Sequence, residues 1–133
     1  MNKLSKKQIK KIRGLYQHFL KTNLAYVDFW SYISRHKKLS ESFIREFSDK
    51  VDWTYISWYQ KLSESFIKEF CDKVDWYYIS KYQQLSEEFI REFSDKVDWM
   101  VLCENKKYNF KNVPRHVKLY LASNHRELLG NFK

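Results

Sequence analysis

Residues 39–60 read LSESFIREFSDKVDWTYISWYQ, and nearly the same string follows twice more along the chain. Trp53, Trp76 and Trp99 are evenly spaced, so the period is 23 residues throughout. A fixed period of this length indicates stacked copies of one supersecondary unit. Because such a unit cannot bury its apolar face alone, we expect the stacked set to be the folding unit.

Each copy carries two sets of helix-start signals. Ser40 followed by Glu41 is typical of an N-cap and a first turn, with Leu39 and Ile44 placed as a hydrophobic staple. Asp52 is expected to cap a second helix. The pattern predicts helices of roughly ten and eight residues, which are marginal alone in water. Helix boundaries are therefore expected near Ser40, Asp52, Ser63, Asp75, Ser86 and Asp98.

The chain before the first full copy contains a degenerate copy of the repeat. Asp28 and Phe29 match Asp52 and Trp53 at an offset of 24, and one inserted residue then returns the offset to 23. The sequence predicts an all-α fold: an α-solenoid of about four helix-turn-helix units with basic capping helices at both ends. It is expected to be a single domain, made of a basic N-terminal part (1–38), the three full copies (39–105) and a basic C-terminal part (106–133).

Composition excludes several classes of protein. Two glycines in 133 residues leave no room for a Gly-rich phosphate loop. Cys71 and Cys103 stand where the other copies have serine, so they are interpreted as small reduced residues, with no disulfide, metal or other cofactor predicted. No apolar run approaches the length of a membrane span, so a cytoplasmic protein without a membrane partner is expected.

Charge is segregated along the chain. The net charge is +9 for residues 1–38, −6 for residues 39–105 and +6 for residues 106–133. Basic ends of this kind attract phosphate backbones and acidic partners, although they also keep an aromatic-rich protein soluble. Residues predicted to contact nucleic acid are Lys6, Lys7, Lys10, Lys11, Arg13, Lys21, Arg35, Lys37, Lys38, Lys111, Arg115, Lys118 and Arg126.

Two positions of the repeat differ strongly between copies. A position that accepts Trp, Lys and Glu in turn is expected to face solvent and is a natural place for partner-specific contacts. Within a copy, by contrast, the pairs Glu41–Arg45 and Glu46–Lys50 are expected to form ordinary i,i+4 contacts along a helix. The predicted partner-binding residues are Thr54, Trp58, Tyr77, Lys81, Met100 and Glu104.

The repeated string also resembles a short repeat found in proteins of large DNA viruses, phages and some bacteria. The resemblance covers about half the chain, implies a viral or mobile-element origin and implies no chemistry. Small size and basic ends are similar to those of phage-encoded inhibitors of host defence, including anti-CRISPR proteins. The leading hypothesis is therefore a non-catalytic protein that binds a host defence protein or ribonucleoprotein; the alternative is direct binding of RNA or DNA.

A remote alternative is a small ribonuclease or toxin. Arg13 and His18 have the R-x4-H spacing and resemble the pattern of the all-α HEPN ribonucleases. The polar residue that usually follows the arginine is missing, since Gly14 stands there. The repeated carboxylates have cationic neighbours and no tuned partner, so we do not expect an enzyme.

Overall fold

The computed structural model describes residues 4–21, 28–105 and 114–124, and every regular element within those ranges is an α-helix. The predicted all-α class is confirmed. In chain order the helices are α1 (Lys6–Lys21), α2 (Phe29–His36), α3 (Glu41–Glu46), α4 (Trp53–Tyr59), α5 (Glu64–Glu69), α6 (Trp76–Tyr82), α7 (Glu87–Glu92), α8 (Trp99–Glu104) and α9 (Arg115–Asn124).

All six predicted caps of the full copies are confirmed. The side chains of Ser40, Ser63 and Ser86 accept from backbone amides at the starts of α3, α5 and α7, and Asp52, Asp75 and Asp98 do so for α4, α6 and α8. A serine or aspartate oxygen satisfies an amide that has no partner within its own helix.

The helices are shorter than predicted because the first one in each copy ends early. α3 has six residues, and the amides of Lys50 and Val51 both bond to the carbonyl of Phe47 in a tight turn after it. The prediction that Glu46 pairs with Lys50 along a helix is therefore wrong. Glu46 instead accepts from Lys11 of α1 at 2.5 Å. A pair of the predicted Glu41–Arg45 type is present in the third copy, where the Arg91 guanidinium lies 3.5 Å from the Glu87 carboxylate.

The repeated tryptophan closes this turn. The indole Nε1 of Trp53, Trp76 and Trp99 donates to the backbone carbonyl five residues earlier, at 2.8–2.9 Å. The acceptor belongs to Ser48 in the first full copy and to Cys71 in the second. Because the carbonyl rather than the side chain accepts, serine and cysteine are interchangeable at this position.

Residues 1–60 and residues 61–133 form two compact units. In the first unit α2 packs against α1 and α4, with Ile33, Ile44 and Ile56 fully buried. In the second unit α6 packs against α8, with Ile79 and Leu102 fully buried. Within each unit the second helices of neighbouring copies thus pack in succession.

Buried polar side chains join neighbouring copies within each unit. The hydroxyl of Ser34 donates to the carbonyl of Trp30 and accepts from the amide of Asp52, while that of Ser80 accepts from Asp98. Gln60 is 5% exposed; its amide nitrogen donates to two backbone carbonyls of the preceding copy and its oxygen accepts from the Leu39 amide. The carbonyl oxygen of Gln83 accepts from the Leu62 amide in the same way.

In the degenerate copy before Leu39, the counterpart of the repeated tryptophan lies one residue later than the sequence match predicts. Trp30 lies 5.2 Å from the ring of Phe47, as Trp76 lies 5.4 Å from Phe93. Trp30, rather than Phe29, is therefore the counterpart of the repeated tryptophan, and the inserted residue precedes it. α2 accordingly has eight residues where α4 and α6 have seven.

Reciprocal hydrogen bonds stabilise the start of the N-terminal helix α1. The Ser5 amide donates to the Gln8 side chain and the Gln8 amide donates to the Ser5 hydroxyl, which is a complete capping box. Ile12, Leu15 and Phe19 of α1 pack against the buried cluster of Phe29, Tyr32 and Ile33. None of the described helices is long and apolar enough to cross a lipid bilayer.

Candidate functional site

The second helices carry tyrosines with cations over their rings. In the first unit, the guanidinium of Arg35 lies 5.8 Å from the ring centroid of Tyr55 and 5.4 Å from that of Tyr59. The indole of Trp58 stacks on Tyr59 with centroids 4.6 Å apart and planes 20° from parallel. Tyr59 is nevertheless 40% exposed, so this cluster presents aromatic surface to solvent.

A similar cluster lies on α6 in the second unit. The ammonium of Lys81 is 5.5 Å from the ring centroid of Tyr77 and 5.4 Å from that of Tyr82, and it donates to the Tyr77 hydroxyl at 3.3 Å. This hydrogen bond, followed by the charge interaction with Tyr77, raises the pKa of Lys81. Tyr77 and Tyr82 are 43% and 46% exposed.

A groove of about 270 Å³ lies beside the α6 cluster, between it and α8. Lys81 lies on one side, and Glu104 of the next copy lies on the other with Val101 and Asn105. Tyr77 and Tyr82 complete the wall. Opposite charges across an aromatic-walled groove can bind a side chain carrying either sign of charge together with an apolar body.

The outer side of the second helices, meaning the side that faces solvent, carries four of the six predicted partner-binding residues as exposed side chains. Thr54, Tyr77, Lys81 and Glu104 are exposed, but Trp58 is half-buried because it stacks on Tyr59. The tyrosines other than Tyr77 are not among the predicted partner-binding residues; Tyr59 is exposed, whereas the neighbouring Gln60 is buried. The recurrence of tyrosine near the variable position was the signal available in the sequence.

Met100 belongs to a separate, larger groove in the second unit. This groove has a volume of about 580 Å³ and runs from the turn before α8 to the start of α9. Met100, Trp99 and Val117 give it an apolar lining, and the two carboxylates at its edge are those of Asp95 and Asp98. His116 is also part of the lining.

The predicted nucleic-acid residues are mostly exposed. α1 presents Lys6, Lys7, Lys10, Lys11, Arg13 and Lys21 and contains no acidic residue. Lys38 is exposed after α2, whereas Lys37, whose backbone carbonyl accepts a hydrogen bond from Gln60, is half-buried. On α9, Arg115 and Lys118 are exposed. Lys111 and Arg126 lie outside the described residues.

The ribonuclease alternative depends on two side chains of helix α1. Arg13 and His18 are both exposed on α1.

Burial raises the pKa of the Cys103 thiol to about 11, with smaller contributions from Glu104 and Asp98, so this thiol is a poor nucleophile at neutral pH. Among residues 4–21, 28–105 and 114–124, no three His, Cys, Asp or Glu side chains come together as a metal site would require.

The search for similar proteins gave no match: no protein-family model, no curated protein and no solved structure matches this chain.

Proposed function

We propose that this chain is a non-catalytic binding protein whose contact surface is the outer side of the second helices. The observation that carries the proposal is the pair of clusters, Arg35 with Tyr55 and Tyr59, and Lys81 with Tyr77 and Tyr82. Tyrosine, tryptophan and arginine dominate the binding energy of protein interfaces. Rings already held by a neighbouring cation lose less side-chain entropy when a partner binds.

We also propose that the copies form one continuous α-solenoid. The support is the repetition of one joint: Ser34 accepts the Asp52 amide in the first unit and Ser80 accepts the Asp98 amide in the second. A continuous stack would align the variable outer residues in one row, which is how solenoids build extended binding surfaces.

The partner proposed is a protein or ribonucleoprotein of a host defence system in the cytoplasm. This choice follows from the resemblance of the repeat to those of viral and phage proteins, and from the small size of the chain. The variable position carries both signs of charge, with cations at Arg35 and Lys81 and a carboxylate at Glu104, which favours a partner surface that also has both signs.

The test is capture of partners on immobilised protein from a host lysate, followed by purification of what binds and a direct affinity measurement. The wild type is compared with the Lys81→Glu variant, which reverses the charge between Tyr77 and Tyr82. The matched control is Lys73→Glu, at a lysine that is also exposed and lies in the turn before α6. The proposal predicts that Lys81→Glu alone weakens binding of the purified partner. Equal binding by both variants would contradict it.

Direct binding of RNA or DNA is a second candidate, favoured by one observation. Helix α1 exposes six cations on a segment without a single carboxylate. Reversal of Lys7 and Lys10 to glutamate should then abolish RNA binding and leave helical content unchanged, because both side chains are exposed. Retention of RNA binding by this variant would remove the candidate.

A further inference from the structure

The junction between α1 and α3 is open where the later copies are closed. Leu39 and Phe43 are half-buried, whereas their counterparts Leu62 and Phe66 in the next copy are buried, at 6% and 1% exposure. The result is a groove of about 480 Å³ within the first unit. Its lining consists of Lys11, Leu15, Lys38, Leu39, Ser40, Ser42 and Phe43.

The lining has an apolar part and a polar part. Leu15, Leu39 and Phe43 form the apolar part, and Phe43 is the aromatic residue among them. The polar part consists of two ammonium groups and two hydroxyls, and the hydroxyls of Ser40 and Ser42 are 3.1 Å apart. Glu46 already pairs with Lys11, so Lys38 provides the main cationic charge.

We infer that this groove binds one nucleotide of a single-stranded nucleic acid, with the base against Phe43 and a phosphate at Lys38 and Ser42. The inference rests on the second candidate function, direct binding of RNA or DNA. A flat base matches the apolar part, because every base can stack on an aromatic ring. Lysine and serine side chains are common phosphate contacts. An acidic peptide without aromatic residues would use the lysines but would have no flat ring for the apolar part.

The path of the strand away from the groove follows from the surrounding charge. Lys7 lies one helical turn before Lys11 on α1 and is exposed. A strand leaving the groove along α1 therefore meets a second cation, which suits the neighbouring phosphate.

The repeat itself provides substitutions that the fold tolerates. The third copy has Gln84 at the position of Lys38 and Glu88 at the position of Ser42. The second copy has Lys61 and Ser65 there, with the Ser63 and Ser65 hydroxyls also 3.1 Å apart, but its apolar residues are buried. Lys38→Gln and Ser42→Glu are thus test variants, and Lys61→Gln and Ser65→Glu are their matched controls.

The experiment measures binding of a fluorescein-labelled oligouridine to the full chain by anisotropy over a range of salt concentrations, with polyglutamate as a competitor. Lys38→Gln should weaken binding about threefold and lower the log–log salt slope by about 0.7. Phe43→Leu should weaken binding about fivefold with the slope unchanged, because it removes a stacking surface and no charge. The two control variants should bind as the wild type does.

Each other outcome overturns the inference in a distinguishable way. If the wild type does not bind oligouridine, the nucleic-acid function fails and the site fails with it. If Lys38→Gln and Lys61→Gln weaken binding equally, the chain binds RNA through its overall charge and the groove is not the site. If polyglutamate competes as well as unlabelled oligouridine and Phe43→Leu has no effect, the occupant is an acidic polypeptide.

Discussion

The inner and outer sides of the second helices differ in what the copies share. On the inner side, the isoleucine and serine pair is identical in three copies, Ile33–Ser34, Ile56–Ser57 and Ile79–Ser80, and all six residues are fully buried. On the outer side, one position is Arg35, Trp58, Lys81 and Glu104 in successive copies. Identity between copies thus follows burial and hydrogen bonding, whereas variation follows exposure.

This difference separates two kinds of substitution. A change on the inner side creates a cavity or leaves a polar group unpaired, and both carry a large cost in unfolding free energy. A change on the outer side alters charge and aromatic surface at little cost. The same helix can therefore keep the fold and vary its contacts.

The largest expected effect is a cavity at the inner isoleucine. Ile79→Ala should lower the unfolding free energy by about 2–5 kcal/mol, because this side chain is fully buried. Urea denaturation measures the change, with Lys81→Ala on the outer side of the same helix as the control. A loss below about 1 kcal/mol for Ile79→Ala would contradict the packing described.

The second largest fall in unfolding free energy is expected from replacement of the buried Gln60. Gln60→Leu removes the partners of the Ser34 and Lys37 carbonyls and of the Leu39 amide, so the unfolding free energy should fall by about 1–3 kcal/mol. Gln84→Leu, at an exposed position, is the control. Equal stability of the two variants would show that Gln60 does not join the copies.

Two positions of the repeat hold either serine or cysteine, one represented by Cys71 and the other by Ser80. They should respond differently when one residue is exchanged for the other. Ser80→Cys weakens the acceptor for the Asp98 amide and should cost about 1 kcal/mol. Cys71→Ser should change stability by less than about 0.5 kcal/mol, since only the backbone carbonyl of Cys71 is used by Trp76. A large effect at Cys71 would contradict the explanation for serine and cysteine at that position.

A pH effect of defined sign is expected from Cys103. Its pKa is raised from 9.0 to about 11 in the folded chain, so on raising the pH the unfolded thiol ionises first. Any stability that this shift contributes is fully present below pH 9.0 and is lost as the pH rises toward 11. The wild type should therefore lose stability relative to Cys103→Ser in this window, as measured by urea denaturation. Parallel pH profiles would show that the thiol is not buried.

Much of the fold could be predicted from the sequence because its signals are local. Ser40 and Asp52 identify helix starts through hydrogen bonds that reach only three residues along the chain. The helix ends were missed, because the turn after α3 is closed by Trp53, whose indole bond to the Ser48 carbonyl has no signature in a hydrophobic pattern. The Gln60 contacts were missed as well, since they span more than twenty residues.

The candidate site could be predicted only in part. The variable position identified Lys81 and Glu104, because substitution by unlike residues indicates exposure. A second variable position identified Tyr77, which Thr54 and Met100 replace in the other copies. Tyr82 was missed, since aromatic residues in a repeat are usually assigned to the core. Helix α6 exposes Tyr77 and Tyr82 because its inner side is already occupied by Ile79 and Ser80.

The most direct test of the division between inner and outer sides is a double variant on α6. Tyr77→Met with Lys81→Glu places on α6 the outer residues that α8 carries naturally as Met100 and Glu104. Unfolding free energy and affinity for the purified partner are measured on the same sample. The account predicts a stability within about 0.5 kcal/mol of the wild type together with loss of partner binding. Unchanged binding, or a loss of stability comparable to that of Ile79→Ala, would contradict it.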